Sequence, residues 1–375
     1  MKLIFASDSF KGSLTSKEIS QILTSAAKEV FDDPICIEIP IADGGEGTVD
    51  SLIEVLKGER IYVKTHDPLM REITAYYGKL DEKNAVIEMA CASGLTLLSE
   101  EERNPLYTTT YGTGEMIRDA VNRGFQNINI AIGGSATNDG GMGCAEALGI
   151  RFLDNEGNEL NGIGENLEKI CRIDTAGMEP GLKNLKFTIM CDVTNSLCGD
   201  NGATRTFAPQ KGANPEIVER LEKGMCNYRD VIIKDFGINA DKIQGGGAAG
   251  GLGTMLMVFL SGIMKSGIET VLDLVHFDNL ISDADLVVTG EGRTDWQSCF
   301  GKAVSGVGKR AEKAGIPVYL LCGSLGPGAD GLYNYGINSM MSIMEPEMTV
   351  EEAMKIAKEL YRKKAVQMFQ SIKYD

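Results

Sequence analysis

The sequence has little histidine and lacks the short cysteine spacings of zinc sites. His66 and His276 are the only histidines among 375 residues, and no Cys-x-x-Cys pair occurs. A serine hydrolase built on a Ser-His-Asp triad would need one of these two histidines, and neither follows a predicted strand. These absences disfavour a triad hydrolase and a zinc site of the usual sequence spacing.

Long apolar runs and an excess of positive charge are also missing. The longest apolar run, 252–264, is shorter than a membrane-spanning helix. Asp8 interrupts the first apolar run too early for a signal peptide. The net charge of −16 disfavours a nucleic-acid-binding surface. We expect a cytoplasmic protein with reduced cysteines and no membrane or nucleic-acid partner, and both monomer and homodimer stay open.

Short apolar runs alternate with amphipathic helical segments at both ends of the chain. This rhythm predicts an α/β fold with a doubly wound parallel sheet. Thr15 and Glu18 form a capping-box pattern at the start of the first helix, and Thr349 and Glu352 repeat it near the end. The predicted strands cover 2–7, 37–42, 285–290, 317–323 and 337–344.

The middle of the chain departs from this rhythm. Residues 71–90 predict an antiparallel hairpin, and later strands and helices are joined by long glycine-rich loops. We therefore expect a second α/β domain with mixed or antiparallel strands, inserted at 63–279 into a domain formed by 1–62 and 280–375. Within the insert, helices are predicted from Asn214-Pro215 and over 252–264.

Charged residues follow three of the predicted parallel strands. Ligands of open parallel sheets bind outside the carboxyl ends of the strands, so these residues are expected to meet at one edge. A helix N-cap would explain one acid in each loop, but not the set. The residues after the three strands are Asp8, Ser9 and Lys11, then Asp43, Gly44, Gly45 and Glu46, and finally Glu291, Arg293 and Asp295.

Two glycine-rich segments in the predicted insert are candidates for binding phosphate. Ser135, Thr137 and Asn138 lie in the first, 131–143, which follows a predicted strand. The second, 245–253, imitates a dinucleotide fingerprint through its glycines, but no strand runs directly into it. Phosphate binding and tight helix packing both stay open for Gly247, Gly250 and Gly251.

Three further patterns have competing interpretations. Asp192 and Asn195 follow a strand and suit Mg²⁺, but an Asx-turn uses the same residues. Lys211 precedes a helix start and either faces an anion or lies in a solvated loop. No Gly-x4-Gly-Lys-Ser/Thr motif occurs, so the sequence disfavours a P-loop protein. The Asp-Phe-Gly at 235–237 is typical of a helix end with a glycine cap, because no kinase catalytic loop accompanies it.

Taken together, the motifs resemble the bacterial glycerate kinase family. Its matching segments run in order from residue 8 to 307, and Ala208, Ser196 and Ser298-Cys299 are modest departures from the pattern we expect. The segments are DSFKGSLTS, PIADGGEGT, GTGE, GGSATNDGG, CDVTN, PQKGA, GAAGGLG, DLVVTGEGRTD and GKAVSGV.

The resemblance implies a flavodoxin-like domain interrupted by a second domain, with the active site in the interdomain cleft. It also implies ATP-dependent phosphorylation of D-glycerate with Mg²⁺, and 2-phosphoglycerate as the favoured product. On this hypothesis Lys11 and Arg293 neutralise negative charge and Asp8 is the preferred general base. Asp43, Asp192 and Glu291 are candidates for Mg²⁺ or for the base.

The glycine-rich loops would hold phosphate groups through backbone N–H donors on this hypothesis, and Lys211 would face an anion. Two other classes compete with it. An NAD-dependent oxidoreductase would place a pyrophosphate at the glycines 245–250, with Glu269 on the ribose. A noncatalytic anion-binding protein is disfavoured by the number of acids at one sheet edge.

Overall fold

A computed structural model describes residues 1–42, 44–45 and 47–374 of the chain. The predicted site residues Asp43 and Glu46 therefore lie outside the described residues. The strands, in chain order, are β1 (Lys2–Phe5), β2 (Ile35–Glu38), β3 (Glu59–His66), β4 (Glu72–Lys79), β5 (Asn84–Glu88), β6 (Asn127–Ala131), β7 (Arg151–Leu153), β8 (Arg172–Asp174), β9 (Lys186–Met190), β10 (Ile263–Lys265), β11 (Leu286–Thr289), β12 (Arg293–Thr294), β13 (Val318–Cys322), β14 (Ser324–Leu325) and β15 (Ser339–Ser342).

The α-helices are connected by shorter 3₁₀ turns and irregular loops. In chain order they are α1 (Ser16–Val30), α2 (Thr48–Leu56), α3 (Ala90–Ser93), α4 (Tyr111–Asn122), α5 (Met142–Ala147), α6 (Ala203–Phe207), α7 (Pro215–Phe236), α8 (Leu252–Phe259), α9 (Gly267–Leu274), α10 (Phe277–Ile281), α11 (Ala303–Ala314), α12 (Val350–Lys355) and α13 (Ala357–Tyr374).

The chain packs as two units, each with its own sheet. The domain boundaries predicted from the sequence, with 63–279 inserted between 1–62 and 280–375, stay a prediction. The first unit comprises Met1–Asp43, Asp50–Lys57 and Ser266–Asp375, and the second comprises Gly44–Val49 and Gly58–Lys265.

The first unit contains a five-stranded parallel sheet in the order β15-β13-β11-β1-β2. Counted along this unit, the order is 2-1-3-4-5, which is the flavodoxin-like order. The predicted fold class is therefore confirmed. Leu286 and Val288 of β11 share a buried hydrophobic cluster with Leu23 of α1 and Tyr361 of α13, which fixes these helices on one face of the sheet.

Helix α1 begins where the sequence predicts, because its capping box forms. The Glu18 amide donates to the Thr15 hydroxyl at 3.2 Å, and the Thr15 amide donates to the Glu18 carboxylate at 3.0 Å. Such a cap stabilises a helix by about 1 kcal/mol. The same arrangement starts α12 at Thr349, and the Asn214 side chain caps α7. At the other end of α7, Gly237 caps the helix in the left-handed region, as predicted.

The second strand begins and ends earlier than predicted, at 35–38 instead of 37–42. Pro40 has no N–H group, so it interrupts the regular ladder. The Ile39 amide still donates to the Phe5 carbonyl at 2.8 Å, and the Ile41 amide donates to the Ser7 carbonyl at 3.3 Å. The segment thus stays beside β1 after the regular strand has ended.

The second unit contains a six-stranded mixed sheet in the order β10-β9-β6-β5-β4-β3. Strands β5, β6, β9 and β10 pair in parallel, whereas β3, β4 and β5 pair antiparallel. The mixed sheet and the hairpin of β4 and β5 agree with the sequence prediction. Strand β3 was not predicted, because most of its side chains are exposed or half-buried and form no apolar run.

The apolar run 252–264 was predicted as one helix, which is wrong. Helix α8 ends at Phe259, and Ile263–Lys265 forms β10. Ser261 between them has a φ of 53°, a left-handed conformation that cannot continue a right-handed helix. Among the described residues, no helix has both the length and the apolar character required to cross a bilayer.

The core of the first unit depends on Phe369, which is fully buried on α13. Its ring centroid lies 6.0 Å from that of Phe5 and 5.7 Å from that of Phe31. We expect Phe369→Ala to lower the free energy of unfolding by about 3–5 kcal/mol, because it leaves a cavity beneath the sheet. Urea unfolding followed by circular dichroism measures the effect. Phe300→Ala is the matched control, because Phe300 is 67% exposed, and a cost equal to that of Phe369→Ala would contradict this account.

Candidate active site

A cleft of about 410 Å³ opens at the carboxyl edge of the first unit's sheet. It is lined by loops that follow β1, β11 and β13, so the parallel topology brings together residues from both ends of the chain. Of the predicted site residues, the cleft unites five, namely Asp8, Ser9, Lys11, Glu291 and Arg293.

Asp8 lies at the mouth of the cleft because the chain continues alongside β11 after β1 ends. The Asp8 amide donates to the Gly290 carbonyl at 2.9 Å. Its carboxylate accepts a hydrogen bond from the Ser9 amide at 2.6 Å. A tight turn closed by the Phe10 amide and the Leu14 carbonyl then exposes Lys11 beside the cleft. The carboxylate residue Asp8 and the cationic residue Lys11 of this loop thus line one cavity.

Glu291 is buried just after β11 and forms an ion pair with Lys302. Its carboxylate lies 3.7 Å from the Lys302 ammonium and accepts from the Thr294 hydroxyl at 3.2 Å. Lys302 also lines the cleft and immediately precedes α11. Sequence reasoning assigned it no role, although it stands in the GKAVSGV motif.

Arg293 and Asp295 form an ion pair with a nitrogen–oxygen distance of 3.2 Å. Asp295 does not line the cleft. Its carboxylate accepts from the Gln297 amide at 3.0 Å, and its own amide donates to the Ser298 hydroxyl, so it caps a 3₁₀ turn. The Arg293 side chain is largely exposed. The structure therefore gives Asp295 a capping contact and leaves Arg293 accessible at the cleft.

One wall of the cleft is apolar, which the sequence motifs did not indicate. It is formed after β15 and along the helices that follow Thr349. The residues of this wall are Ile343, Met344, Val350, Ala353, Met354 and Ala357.

In the second unit, Lys211 is buried with only 2% of its surface exposed. Its ammonium group donates to the Ser135 hydroxyl at 2.7 Å and to the Thr137 carbonyl at 2.6 Å. Burial lowers the pKa of Lys211 to about 7, and the nearby Asp139 acts in the opposite direction. The structure thus brings Lys211 to the first glycine-rich loop, and the solvated-loop interpretation is wrong.

Thr137 and Asn138 are fully buried in the same loop. The Asn138 side-chain amide donates to the Thr204 hydroxyl at 3.1 Å. Within the described part of the chain, the Thr137 hydroxyl oxygen and the Asn138 side-chain oxygen have no hydrogen-bond partner. Buried polar atoms are seldom left in this state, so these two atoms are candidates for a ligand contact.

Asp139 holds this loop in shape from the inside. Its carboxylate accepts hydrogen bonds from the amides of Thr110, Gly141 and Gly143 and from the Thr110 hydroxyl, at 2.7–3.2 Å. Burial raises the pKa of Asp139, while these hydrogen bonds pull it down. Asp139 was not among the predicted site residues, although it directly follows Asn138 in the motif.

The second glycine-rich segment packs against the first. Gly250 has a φ of 65°, and a Cβ there would stand 2.1 Å from the Thr137 carbonyl oxygen. Gly247 and Gly251 are buried in the same turn before α8. The tight-packing interpretation therefore has direct support, and a phosphate role for these glycines stays a prediction. The element before these glycines is a 3₁₀ turn. A dinucleotide fingerprint requires a strand at that place, and the described segment 240–259 contains none.

The remaining predicted residues lie elsewhere in the second unit. Asp192 is exposed after β9, and the Asn195 side-chain amide donates to the Asn201 carbonyl at 2.7 Å. Gly44 is buried, and the Gly45 carbonyl accepts from the Thr48 hydroxyl at 2.7 Å where α2 begins. The roles predicted for Asp192, Gly44 and Gly45 stay predictions.

A flavodoxin-like sheet with a charged cleft at its carboxyl edge is the architecture of an α/β enzyme that binds a small anionic substrate. The model of the glycerate kinase family matches residues 3–373. The chain belongs to the glycerate kinase family.

Named relatives and a solved structure agree with this assignment. A glycerate kinase from Bacillus subtilis is 42% identical over 374 residues, covering 100% of this chain and 98% of the relative. A glycerate 2-kinase from Escherichia coli is 43% identical over 354 residues, covering 94% and 93%. The crystal structure of a protein from Salmonella typhimurium, assigned as a glycerate kinase 2, has a TM-score of 0.89 and 39% identity, covering 100% of this chain and 98% of that one.

The low pKa of Lys211 predicts a pH-dependent stability. Below pH 7 both folded and unfolded states hold the Lys211 proton. Between pH 7 and the unfolded-state pKa of 10.5, only the unfolded state holds this proton. The free energy of unfolding therefore rises with pH in this window. Relative to Lys211→Met, we expect the wild-type free energy of unfolding to rise by up to about 1.4 kcal/mol per pH unit in this window.

Urea unfolding at pH 7 to 9.5 measures this difference. Lys223→Met is the matched control, because Lys223 is exposed on α7, and its difference from wild type should be nearly constant with pH. A constant difference between wild type and Lys211→Met would show that Lys211 keeps its charge in the folded protein.

Proposed function

We propose that the chain transfers the terminal phosphoryl group of ATP, taken up with Mg²⁺, to the 2-hydroxyl of D-glycerate. The products are then ADP and 2-phosphoglycerate, with the hydroxyl proton passing to a base. As a member of its family, the chain is a phosphotransferase with an alcohol group as acceptor. The name of the Escherichia coli relative, glycerate 2-kinase, supports the position of transfer.

The observation that carries this proposal is the cleft that unites Asp8 with Lys11, Arg293 and Lys302. Phosphoryl transfer depends chiefly on positioning and on neutralising negative charge. Three cationic side chains beside the Asp8 and Glu291 carboxylates provide both. The planar guanidinium of Arg293 suits a carboxylate, because it can donate two parallel hydrogen bonds. We assign Arg293 and Lys11 to the carboxylate of glycerate and to the transferred group.

Asp8 is the proposed general base. Its carboxylate lines the cleft, and the Ser9 amide fixes one of its oxygens. A base held at one oxygen keeps its orientation when the substrate hydroxyl approaches, which favours proton transfer. Ser9 thus contributes through its backbone to the position of Asp8.

Glu291 is proposed to hold Lys302 in the cleft. Its carboxylate contacts the Lys302 ammonium and the Thr294 hydroxyl, and it is buried at the end of β11. These contacts support a positioning role more directly than the predicted metal role. Among the described acids, Asp192 is then the candidate for the Mg²⁺ that accompanies ATP, because it is an exposed carboxylate. Asp43 keeps its predicted role.

The loop around Lys211 is proposed to bind a phosphate group. The unpartnered hydroxyl of Thr137, which can donate a hydrogen bond, and the buried ammonium of Lys211 support this role. Ser135 would orient Lys211 through the 2.7 Å hydrogen bond. The backbone amides of the glycine-rich turn at Gly247–Gly251 are further candidate donors.

The reaction and its position can be tested together. We expect the purified chain, with D-glycerate, ATP and Mg²⁺, to form ADP and a product whose phosphorus NMR spectrum matches 2-phosphoglycerate. Omission of Mg²⁺ should abolish turnover. A spectrum matching 3-phosphoglycerate would overturn the proposed position and leave the kinase assignment intact, whereas no ADP formation would overturn the proposed donor.

The role of Asp8 can be tested by Asp8→Asn. Loss of the general base is expected to lower kcat by about 100- to 10,000-fold with little change in the KM for either substrate. Steady-state kinetics with a coupled ADP assay measure both constants. Asp32→Asn is the matched control, because Asp32 is exposed in the same unit. Near-normal kcat for Asp8→Asn would remove Asp8 from the chemistry.

A further inference from the structure

A group of metal-ligating side chains lies in the second unit, apart from the residues used above. Helix α7 places Glu222 and Cys226 one turn apart on the same face. The loop after β9 brings Cys198 to them, 28 positions earlier than Cys226 in the chain. The two sulfur atoms and a carboxylate oxygen lie within 4.8 Å of one another. Among the described residues, this is the group whose geometry suits a metal ion.

The state of the Glu222 carboxylate independently indicates a ligand. Glu222 is only 6% exposed. One carboxylate oxygen accepts from the Gly199 amide at 2.7 Å and contacts the Cys226 sulfur at 3.8 Å. The other oxygen, Oε2, is buried and has no hydrogen-bond partner within the part of the chain described. A buried carboxylate oxygen is costly unless it is paired or coordinates a metal.

We propose that Cys198, Glu222 and Cys226 bind one Zn²⁺ ion. Two thiolates favour zinc over Mg²⁺, and a carboxylate with a water molecule would complete tetrahedral coordination. The two thiols lose their protons on binding. Asp241, which pairs with the Arg229 guanidinium at 2.9 Å, accepts from the Cys198 amide at 3.0 Å and so holds the backbone of the loop beside the proposed site.

The proposed ion has a structural role, because it joins a loop to a long helix. Cys198 lies in the loop that follows β9, whereas Glu222 and Cys226 lie in the middle of α7. The same loop supports the glycine-rich turn, because the Asn195 carbonyl accepts from the Gly247 amide at 3.0 Å. Bound zinc would therefore stabilise the position of this loop and of the turn packed on it.

Cobalt titration of the metal-free, full-length chain tests the proposal. We expect one Co²⁺ to bind per chain, with a thiolate-to-cobalt charge-transfer absorption that Zn²⁺ abolishes by displacement. Cys198→Ser and Cys226→Ser should lose this absorption, and Glu222→Gln should weaken binding at least about 10-fold. Cys171→Ser is the matched control, because Cys171 is exposed, and it should bind as the wild type does.

Thermal unfolding of the wild type gives a second measurement that needs no variant. Zn²⁺ should raise the Tm of the metal-free chain by about 5 °C or more, and a chelator should reverse the rise. Wild type without the charge-transfer band, or Cys198→Ser with an unchanged band, would overturn the proposal. So would a peptide map showing a Cys198–Cys226 disulfide in the freshly purified chain.

Discussion

The parallel pairing of β1 with β11 is the constraint on which the first unit's site depends. Leu3, Ile4 and Phe5 lie opposite Leu286, Val287 and Val288, and the register continues until the Asp8 amide meets the Gly290 carbonyl. A shift by one residue would turn the side chains of β1 to the opposite face of the sheet. Because every neighbour of β1 is parallel, the loops after the strands leave at one edge, and Asp8 shares that edge with Glu291 although the two are remote in sequence.

In the second unit, the loop that contains Thr137 and Asn138 is positioned by close backbone contact with another loop, and not only by the strand that precedes it. The loop 131–143 and the turn before α8 approach so closely that the Gly140 amide donates to the Gly250 carbonyl at 2.9 Å. A side chain at Gly250 would collide with the Thr137 carbonyl. The Thr137 carbonyl that faces Gly250 also accepts from the Lys211 ammonium, and burial of this ammonium is the cause of its low pKa. Glycines that imitate a nucleotide fingerprint therefore have a definite packing role.

Much of the fold follows from local sequence chemistry, and the errors have physical causes. The alternation of strand and helix predicts the doubly wound parallel sheet of the first unit, and the caps at Thr15, Asn214 and Thr349 predict where α1, α7 and α12 begin. Strand β3 was missed because most of its side chains are exposed or half-buried, so a strand that is defined by its pairing with β4 leaves no apolar pattern in the sequence. In the site, acids at strand ends were found, but Lys302 was missed because its role depends on a contact with Glu291. The cysteine group was missed for the same reason, since its members are joined by folding and not by spacing.

The cations of the two units differ in a way that composition does not show. Lys11 and Arg293 are exposed, so an incoming anion can reach them from the solvent. Lys211 is buried, and near neutral pH its proton is only loosely held. An anion placed beside Lys211 would favour the charged form and draw a proton from solution. Burial thus makes the charge of Lys211 conditional on its partner.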